Sequence, residues 1–129
     1  MTHRLPLRIY YEDTDLAGIV YYANYLKFIE RGRSEWVREM GVDQAAMKTD
    51  DGVVFAVRRV EADYIAPAKY DDEVVVTTNV DTVTGARLIV KQTVERDGQV
   101  LFSALVTIVA INEAGALARL PAAFRRNLY

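Results

Sequence analysis

The sequence RIYYEDTDLAGIVYYANYLKFIERGRSEW, residues 8–36, contains the end of a predicted strand, an acidic loop and most of a predicted helix. Asn24 suits an N-cap position, and Gly41 suits the left-handed residue that ends a helix. Between them, the apolar residues that recur on one helix face are Tyr25, Ile29, Gly32, Trp36 and Met40. The pattern predicts one long helix over residues 24–40 with one buried face.

Strand patterns flank this helix on both sides. Apolar residues alternate with polar ones over residues 4–11, and extended segments follow at 53–64, 73–83, 87–95 and 100–111. Asp97-Gly98 predicts a two-residue hairpin turn, and residues 100–111 are apolar on both faces, as in a covered central strand. A short helix is predicted over residues 121–128. This order predicts an α+β fold in which an antiparallel sheet wraps the helix, although a sandwich with an exposed helix fits equally well.

Composition excludes several classes of protein. The length of 129 residues fits a single domain over residues 1–129, and 51% apolar residues suffice for a core. A net charge of −2 argues against binding to nucleic acid. The absence of Cys excludes disulfides and thiolate chemistry, and His3, the single His, excludes a multi-histidine metal site within one chain. No signal peptide or membrane-spanning segment is recognised, so we expect a cytoplasmic protein.

Three carboxylates lie close together in the acidic loop: Glu12, Asp13 and Asp15. Most acidic loops are simply solvated. This loop, however, enters a buried helix and is flanked by tyrosines, so we expect a functional site. A hard cation is a competing explanation, but the loop lacks the D-x-D-x-D-G pattern of a calcium site and its distant bidentate Glu.

The helix that follows the loop supplies the other half of a possible reaction centre. The first backbone N–H groups of a helix have no intrahelical acceptor, and the helix dipole is positive at this end. Such donors stabilise the oxyanion of acyl transfer, while a nearby carboxylate attacks the carbonyl or deprotonates a water. Thioesters suit this arrangement, because a thiol with a pKa of about 8.5 leaves as a thiolate with little help from an acid.

Residues 8–36 resemble the signature of the 4-hydroxybenzoyl-CoA thioesterase family, which includes the small acyl-CoA thioesterases encoded with the Tol–Pal envelope system. The shared residues are Arg8-Ile9, Thr14-Asp15, Gly18-Ile19-Val20, Tyr21-Tyr22 and Asn24-Tyr25. The segment FAVRRVEADYIAPAKYDDEV, residues 55–74, also resembles the family, so the likeness covers nearly the whole chain. It implies the hotdog fold, in which a curved antiparallel sheet, here of five strands, wraps one long central helix.

The resemblance implies an acyl-CoA thioesterase that needs no cofactor. Asp15 matches the catalytic carboxylate, as nucleophile or as general base, and Tyr22 matches the residue whose backbone N–H polarises the thioester carbonyl. Tyr22 is usually His in the Tol–Pal type and Tyr in the hydroxybenzoyl type. Gly18 and Val20 belong to the same motif and are expected to contact the substrate. Glu30 falls where the hydroxybenzoyl type has an Asp that contacts the substrate phenol, although a solvated helix residue is an equal alternative.

Coenzyme A carries phosphates, so the site needs cations at its mouth. The candidates are Arg58, Arg59, Arg87 and Lys91, each of which is more often a plain surface residue. Trp36 and Tyr64 are expected in the core or at an interface. The resemblance also implies a homodimer or a dimer of dimers, with two active sites across the interface.

Two alternatives remain at this stage. A hotdog module that binds acyl-CoA or acyl carrier protein without hydrolysis would keep the pocket, but the intact Thr14-Asp15 pair favours the enzyme. A hydratase or dehydratase normally needs a His in the pocket, and His3 is poorly placed for that role. The sequence does not select between aromatic and aliphatic acyl groups.

Overall fold

The computed structural model describes residues 2–122 and contains a long helix, α1, over Asn24–Glu39. Short helical turns lie at Tyr11–Asp13, Gln44–Ala46 and Met47–Asp51. The strands are β1 (His3–Arg8), β2 (Val53–Tyr64), β3 (Glu73–Val83), β4 (Arg87–Arg96), β5 (Gln99–Asn112) and β6 (Leu117–Ala118). All described pairings between these strands are antiparallel.

The predicted α+β architecture is confirmed, with small differences at the ends of elements. The first strand ends at Arg8 because a helical turn occupies Tyr11–Asp13. The sheet has a sixth strand, β6, which is too short to show alternation in the sequence. The helix predicted over residues 121–128 lies largely outside the described residues. No helix within residues 2–122 is long and apolar enough to cross a bilayer.

Strand order determines which part of the sheet the helix covers. The strands lie in the order β1-β3-β4-β5-β2, with β6 against β5. Helix α1 packs mainly on β1, β3 and β4. Strand β2 therefore forms an edge whose helix-facing side is poorly covered, and Val57, Val60 and Tyr64 on that side are 48%, 38% and 49% exposed.

The two faces of β5 differ. Phe102, Val106 and Ala110 face the helix and are buried, whereas Leu105 on the opposite face is 36% exposed. The prediction that this strand is covered on both faces therefore holds at Val109, which is buried on the outer face, but not at Leu105.

Helix α1 is seated on the sheet at two residues. A Cβ added at Gly32 would stand 2.7 Å from Cγ1 of Val76, so the helix approaches the sheet too closely for any side chain there. The fully buried amide nitrogen of Gln92 donates to the carbonyl of Ile29 and to Oγ1 of Thr78, each at 2.9 Å. A buried amide is costly unless its groups are paired, so these bonds favour one position of the helix along the sheet.

We expect Gly32→Ala to lower the free energy of unfolding by about 1–3 kcal/mol, because the added methyl overpacks the contact with Val76. Helix propensity alone would predict a gain of about 1 kcal/mol. Urea unfolding monitored by circular dichroism measures the change. Gly85→Ala is the matched control, since its new Cβ would meet nothing closer than 3.9 Å. Equal stability of Gly32→Ala and the parent would contradict the close seating.

Candidate active site

The acidic loop forms a narrow turn stabilised by its own backbone. Thr14 and Val20 form an isolated antiparallel bridge, and inside it the N–H of Asp15 donates to the carbonyl of Ile19 at 2.9 Å. Gly18 closes the turn with a φ of +79°, a conformation that favours glycine. Gly18 and Val20, which were predicted to contact the substrate, therefore have a structural role in shaping the loop.

Asp13 ties this loop to the start of α1. Its carbonyl oxygen accepts hydrogen bonds from the N–H of Tyr21 and from Nδ2 of Asn24, both at 2.9 Å. Asn24 is therefore not the N-cap that the sequence predicts; it is the first helical residue, and its side chain reaches back to the loop. The acidic loop and the N-terminus of the helix are held together as one unit.

The first turn of α1 presents unused donors. The N–H of Asn24 donates to the carbonyl of Tyr21, and the N–H of Leu26 donates to the carbonyl of Ala23. Among the described residues, the N–H groups of Tyr22 and Ala23 have no hydrogen-bond acceptor. These are the donors that an oxyanion would need, and one of them belongs to the residue predicted to polarise the substrate carbonyl.

A second loop, between β2 and β3, supports the first. The N–H of Val20 donates to the carbonyl of Ala68 at 2.9 Å. Asp72 accepts hydrogen bonds from the N–H of Lys69 at 2.8 Å and from Nη1 of Arg96 at 2.6 Å. Burial alone would raise the pKa of the Asp72 carboxyl, but the Lys69 N–H and the Arg96 guanidinium outweigh it and lower that pKa. The ion pair thus fixes the loop on which the acidic loop rests.

An aromatic cluster forms the wall next to the helix N-terminus. Tyr25 stacks on Phe102 with ring centroids 4.9 Å apart, and Tyr64 packs edge-on against both rings. The hydroxyl of Tyr25 accepts a hydrogen bond from the N–H of Ala68, and burial raises the pKa of that hydroxyl. The cluster is rigid because each ring has at least two neighbours.

An open cavity of about 290 Å³ lies beside this cluster. It is lined by Ile19, Val20, Tyr22, Tyr25, Tyr64, Ile65, Ala66 and Pro67. Tyr64 is half-exposed and lines this cavity, so a core position is wrong for it, while the predicted interface position stays a prediction. The sequence contained one signal for this position of Tyr64. Alternation at the end of β2 puts Tyr64 on the helix-facing side of the sheet, together with Val60 and Ala62.

Asp15 lies on the surface of the single chain. Its Oδ1 accepts a hydrogen bond from the N–H of Ala17 at 2.9 Å, and its Oδ2 has no partner among the described residues. It is not among the residues that line the cavity. Asp13 is the half-buried carboxylate of this loop, whereas Glu12 and Asp15 are exposed. In one chain, Asp15 therefore lacks an enclosing wall.

Glu30 lies at a separate cavity of about 220 Å³ between α1 and β2. It is exposed, and its Oε1 accepts a hydrogen bond from the hydroxyl of Ser34 at 2.9 Å. The guanidinium of Arg33 lines the same cavity and donates to Oε1 of Gln92 at 3.0 Å. Burial lowers the pKa of Arg33, while the charge of Glu30 acts in the opposite direction. No pattern in the sequence pointed to Arg33, because an Arg on a helix is usually solvated.

Three of the four predicted cationic residues come together. Arg58, Arg59 and Arg87 border one surface depression, and Nη2 of Arg59 also pairs with Glu61 at 2.5 Å. Lys91 is exposed on β4 but does not border this depression. Arg59 and Arg87 lie on the outer face of the sheet, opposite α1, because their strand neighbours on the other face point into the core. The cations and the helix N-terminus are therefore on different faces of the sheet.

Acidic residues and the single His do not converge on a metal site. Within residues 2–122, no group of three Asp, Glu, His or Cys side chains could hold one ion. Nε2 of His3 lies 3.0 Å from Oε2 of Glu39, at the opposite end of α1 from the acidic loop. His3 is thus remote from the candidate site.

Known proteins share both the sequence and the shape of this chain. The family model described as the thioesterase superfamily matches residues 17–103, a range that begins after Asp15. The acyl-CoA thioesterase YbgC of Haemophilus influenzae is 37% identical over 107 residues, which cover 83% of this chain and 79% of that protein.

Two crystal structures extend the likeness to the fold. A protein from Bartonella henselae, described as a probable thioesterase, is 36% identical with a TM-score of 0.90, over 94% of this chain and 100% of the other. A 4-hydroxybenzoyl-CoA thioesterase mutant bound to 4-hydroxybenzoyl-CoA has a TM-score of 0.92 over 99% of each chain, at 20% identity. The second match shows the fold alone, and it confirms the predicted hotdog architecture.

Proposed function

The chain belongs to the thioesterase superfamily, and we propose that it hydrolyses the thioester of a small acyl-CoA to the free acid and CoA. A relative named as an acyl-CoA thioesterase, 37% identical over 83% of the chain, supports this substrate class. The observation that carries the proposal is the bonding of the acidic loop to the helix N-terminus through the carbonyl of Asp13. It keeps a carboxylate and a set of free N–H donors on one rigid unit.

In this reaction Asp15 acts in one of two ways. As a general base it takes a proton from water while the water oxygen attacks the thioester carbon. As a nucleophile its oxygen attacks that carbon, and water then hydrolyses the resulting anhydride. In both, the C–S bond breaks and CoA leaves as a thiolate that is later protonated. The N–H of Tyr22 donates to the carbonyl oxygen as negative charge develops on it, next to the positive end of the α1 dipole.

The active site is completed by a second copy of the chain. Asp15 lacks an enclosing wall in one copy, and β2 presents an unpaired edge with three exposed helix-facing residues. The other edge, β1, is half as long and carries Pro6, Arg4 and Arg8, which discourage pairing. Two copies related by a two-fold axis would pair β2 with β2 antiparallel and cover those residues.

The outer depression binds the phosphates of CoA. Arg58, Arg59 and Arg87 bring cations together at the β2 edge, and the side chain of Arg59, which pairs with Glu61, is 69% exposed. Guanidinium groups bind phosphate through parallel hydrogen bonds, so these residues suit the nucleotide end of the substrate. Glu30 and the cavity beside it contact the acyl group.

We expect Asp15→Asn to lower kcat for acyl-CoA hydrolysis by about 10²–10⁴-fold, because the amide neither accepts a proton nor attacks the carbonyl. The thermal midpoint should stay unchanged, since Asn keeps an oxygen that can accept the hydrogen bond from Ala17. Release of free thiol from aromatic and aliphatic acyl-CoAs measures the rate. Glu12→Gln, an exposed neutralisation in the same loop, is the matched control.

Full activity of Asp15→Asn would remove Asp15 from the mechanism. A parent that binds acyl-CoA but does not hydrolyse it would instead support the non-catalytic binding module.

Removing the cations should weaken binding of CoA without slowing the chemistry. We expect Arg58→Ala and Arg87→Ala to raise KM for acyl-CoA about three- to tenfold with kcat unchanged, because exposed charge contacts contribute about 1 kcal/mol. The same variants should match the parent on an acyl thioester of N-acetylcysteamine, which has no phosphate. Arg31→Ala, an exposed residue on α1, is the control. A KM effect equal on both substrates would contradict the phosphate assignment.

The dimer proposal is tested at the edge strand. We expect the parent to sediment as a dimer or larger, and Val60→Lys to shift it towards monomer, because a Lys on an edge opposes strand pairing. Val80→Lys is the matched control: Val80 is 37% exposed, against 38% for Val60, and lies in a strand inside the sheet. A monomeric parent at micromolar concentration, measured by sedimentation velocity, would refute assembly through β2.

A further inference from the structure

The hydroxyl of Tyr64 reaches into the first turn of α1. It donates a hydrogen bond of 3.0 Å to the carbonyl oxygen of Tyr22. The helix does not use this carbonyl, because the adjacent turn bonds run from Asn24 to Tyr21 and from Leu26 to Ala23. A side chain on the edge strand thus supplies the donor that regular helical geometry would have supplied.

This bond fixes the direction of a different group, the N–H of Ala23. The carbonyl of Tyr22 and the N–H of Ala23 belong to one peptide unit, which is planar and trans, so they point in opposite directions. Holding the carbonyl from one side therefore aims the N–H to the other. A hydrogen bond to the carbonyl also polarises the peptide and strengthens its N–H as a donor, by about 10–30%.

The N–H that is aimed in this way, that of Ala23, has no hydrogen-bond partner within residues 2–122. The neighbouring N–H of Tyr22 is also free, and its own peptide carbonyl, on Tyr21, is held by the N–H of Asn24 at 2.8 Å. The two donors differ, because the main chain fixes the first and Tyr64 fixes the second.

Tyr64 is held firmly enough to act in this way. Its ring makes edge contacts with Tyr22, Tyr25 and Phe102 at centroid distances of 6.1, 5.5 and 5.1 Å. Tyr22 and Tyr64 both line the cavity beside the helix N-terminus. Burial raises the pKa of the Tyr64 hydroxyl, with smaller effects from Tyr22 and Tyr25, so the group remains a donor at neutral pH.

We propose that Tyr64 is a positioning residue for thioester hydrolysis: its hydrogen bond to the Tyr22 carbonyl orients and polarises the N–H of Ala23 as a second donor to the substrate carbonyl oxygen. The inference rests on the proposed function and adds a donor and its support to it. Tyr64 does not itself touch the reacting atoms. Its effect belongs to the transition state, where charge on that oxygen is greatest.

Tyr64→Phe tests this, because it removes the hydroxyl and keeps the ring contacts. We expect kcat to fall about five- to tenfold, as the loss of about 1 kcal/mol implies, with KM within about twofold of the parent. The amide proton of Ala23 should move upfield in a ¹H–¹⁵N spectrum as its peptide loses polarisation. Tyr70→Phe, which removes the hydroxyl of another exposed Tyr in the segment after β2, should leave kcat and that resonance unchanged.

Each outcome bears on a separate part of the proposal. An unchanged kcat in Tyr64→Phe, with the parent active, overturns the positioning role and leaves the proposed function intact. A rise in KM with kcat unchanged overturns it too, because it assigns the hydroxyl to substrate binding. A parent that hydrolyses no acyl-CoA overturns the proposed function and this inference together.

Discussion

The absence of a side chain at Gly32 lets α1 lie closer to the sheet than any other residue would allow. It brings α1 close enough for the amide of Gln92 to reach the carbonyl of Ile29, and the buried amide is satisfied in that position. Sliding the helix by one turn would put a side chain against Val76 and leave that amide unpaired. The helix N-terminus therefore occupies one position relative to the edge strand, which lets a residue of β2 bond to its first turn.

Much of the fold was predictable because its signals are local. Helical spacing located α1 to within one residue of its C-terminal end. The extended segment before Ala66-Pro67 and the run rich in Val and Thr after it located β2 and β3 with the observed bounds. What was not predictable depends on contacts between distant elements. The position of Asn24 in the sequence predicts an N-cap. In the structure its side chain instead donates to the carbonyl of Asp13, because the loop folds back onto the helix. The same holds for β5, where Leu105 on the outer face is exposed, because the pattern of one strand does not show which elements pack over its faces.

The candidate site also has a part that the sequence predicted and a part that it did not. The loop and the helix N-terminus lie within one short motif, so the resemblance predicted Asp15 and Tyr22 together, although it did not show the bonds that join the loop to the helix. Tyr64 lies far along the chain from Tyr22, and periodicity shows which face of β2 it occupies but not what it meets there. Lys91 was predicted at the site but lies elsewhere. It is cationic and close in sequence to Arg87, but it does not border the depression that Arg87 shares with Arg58 and Arg59.

The separation of the two faces of the sheet restricts the substrate. The free N–H groups of Tyr22 and Ala23 lie on the helix side, whereas Arg59 and Arg87 lie on the outer side. A ligand that uses both must pass around the β2 edge, so it needs a long, flexible and largely uncharged segment between its phosphates and its reacting carbonyl. The pantetheine arm of CoA is such a segment, and a compact phosphorylated metabolite is not. If β2 pairs with a second copy, that passage becomes a channel between protomers, and the same strand that completes the enclosure of Asp15 also sets the route by which the thioester reaches it.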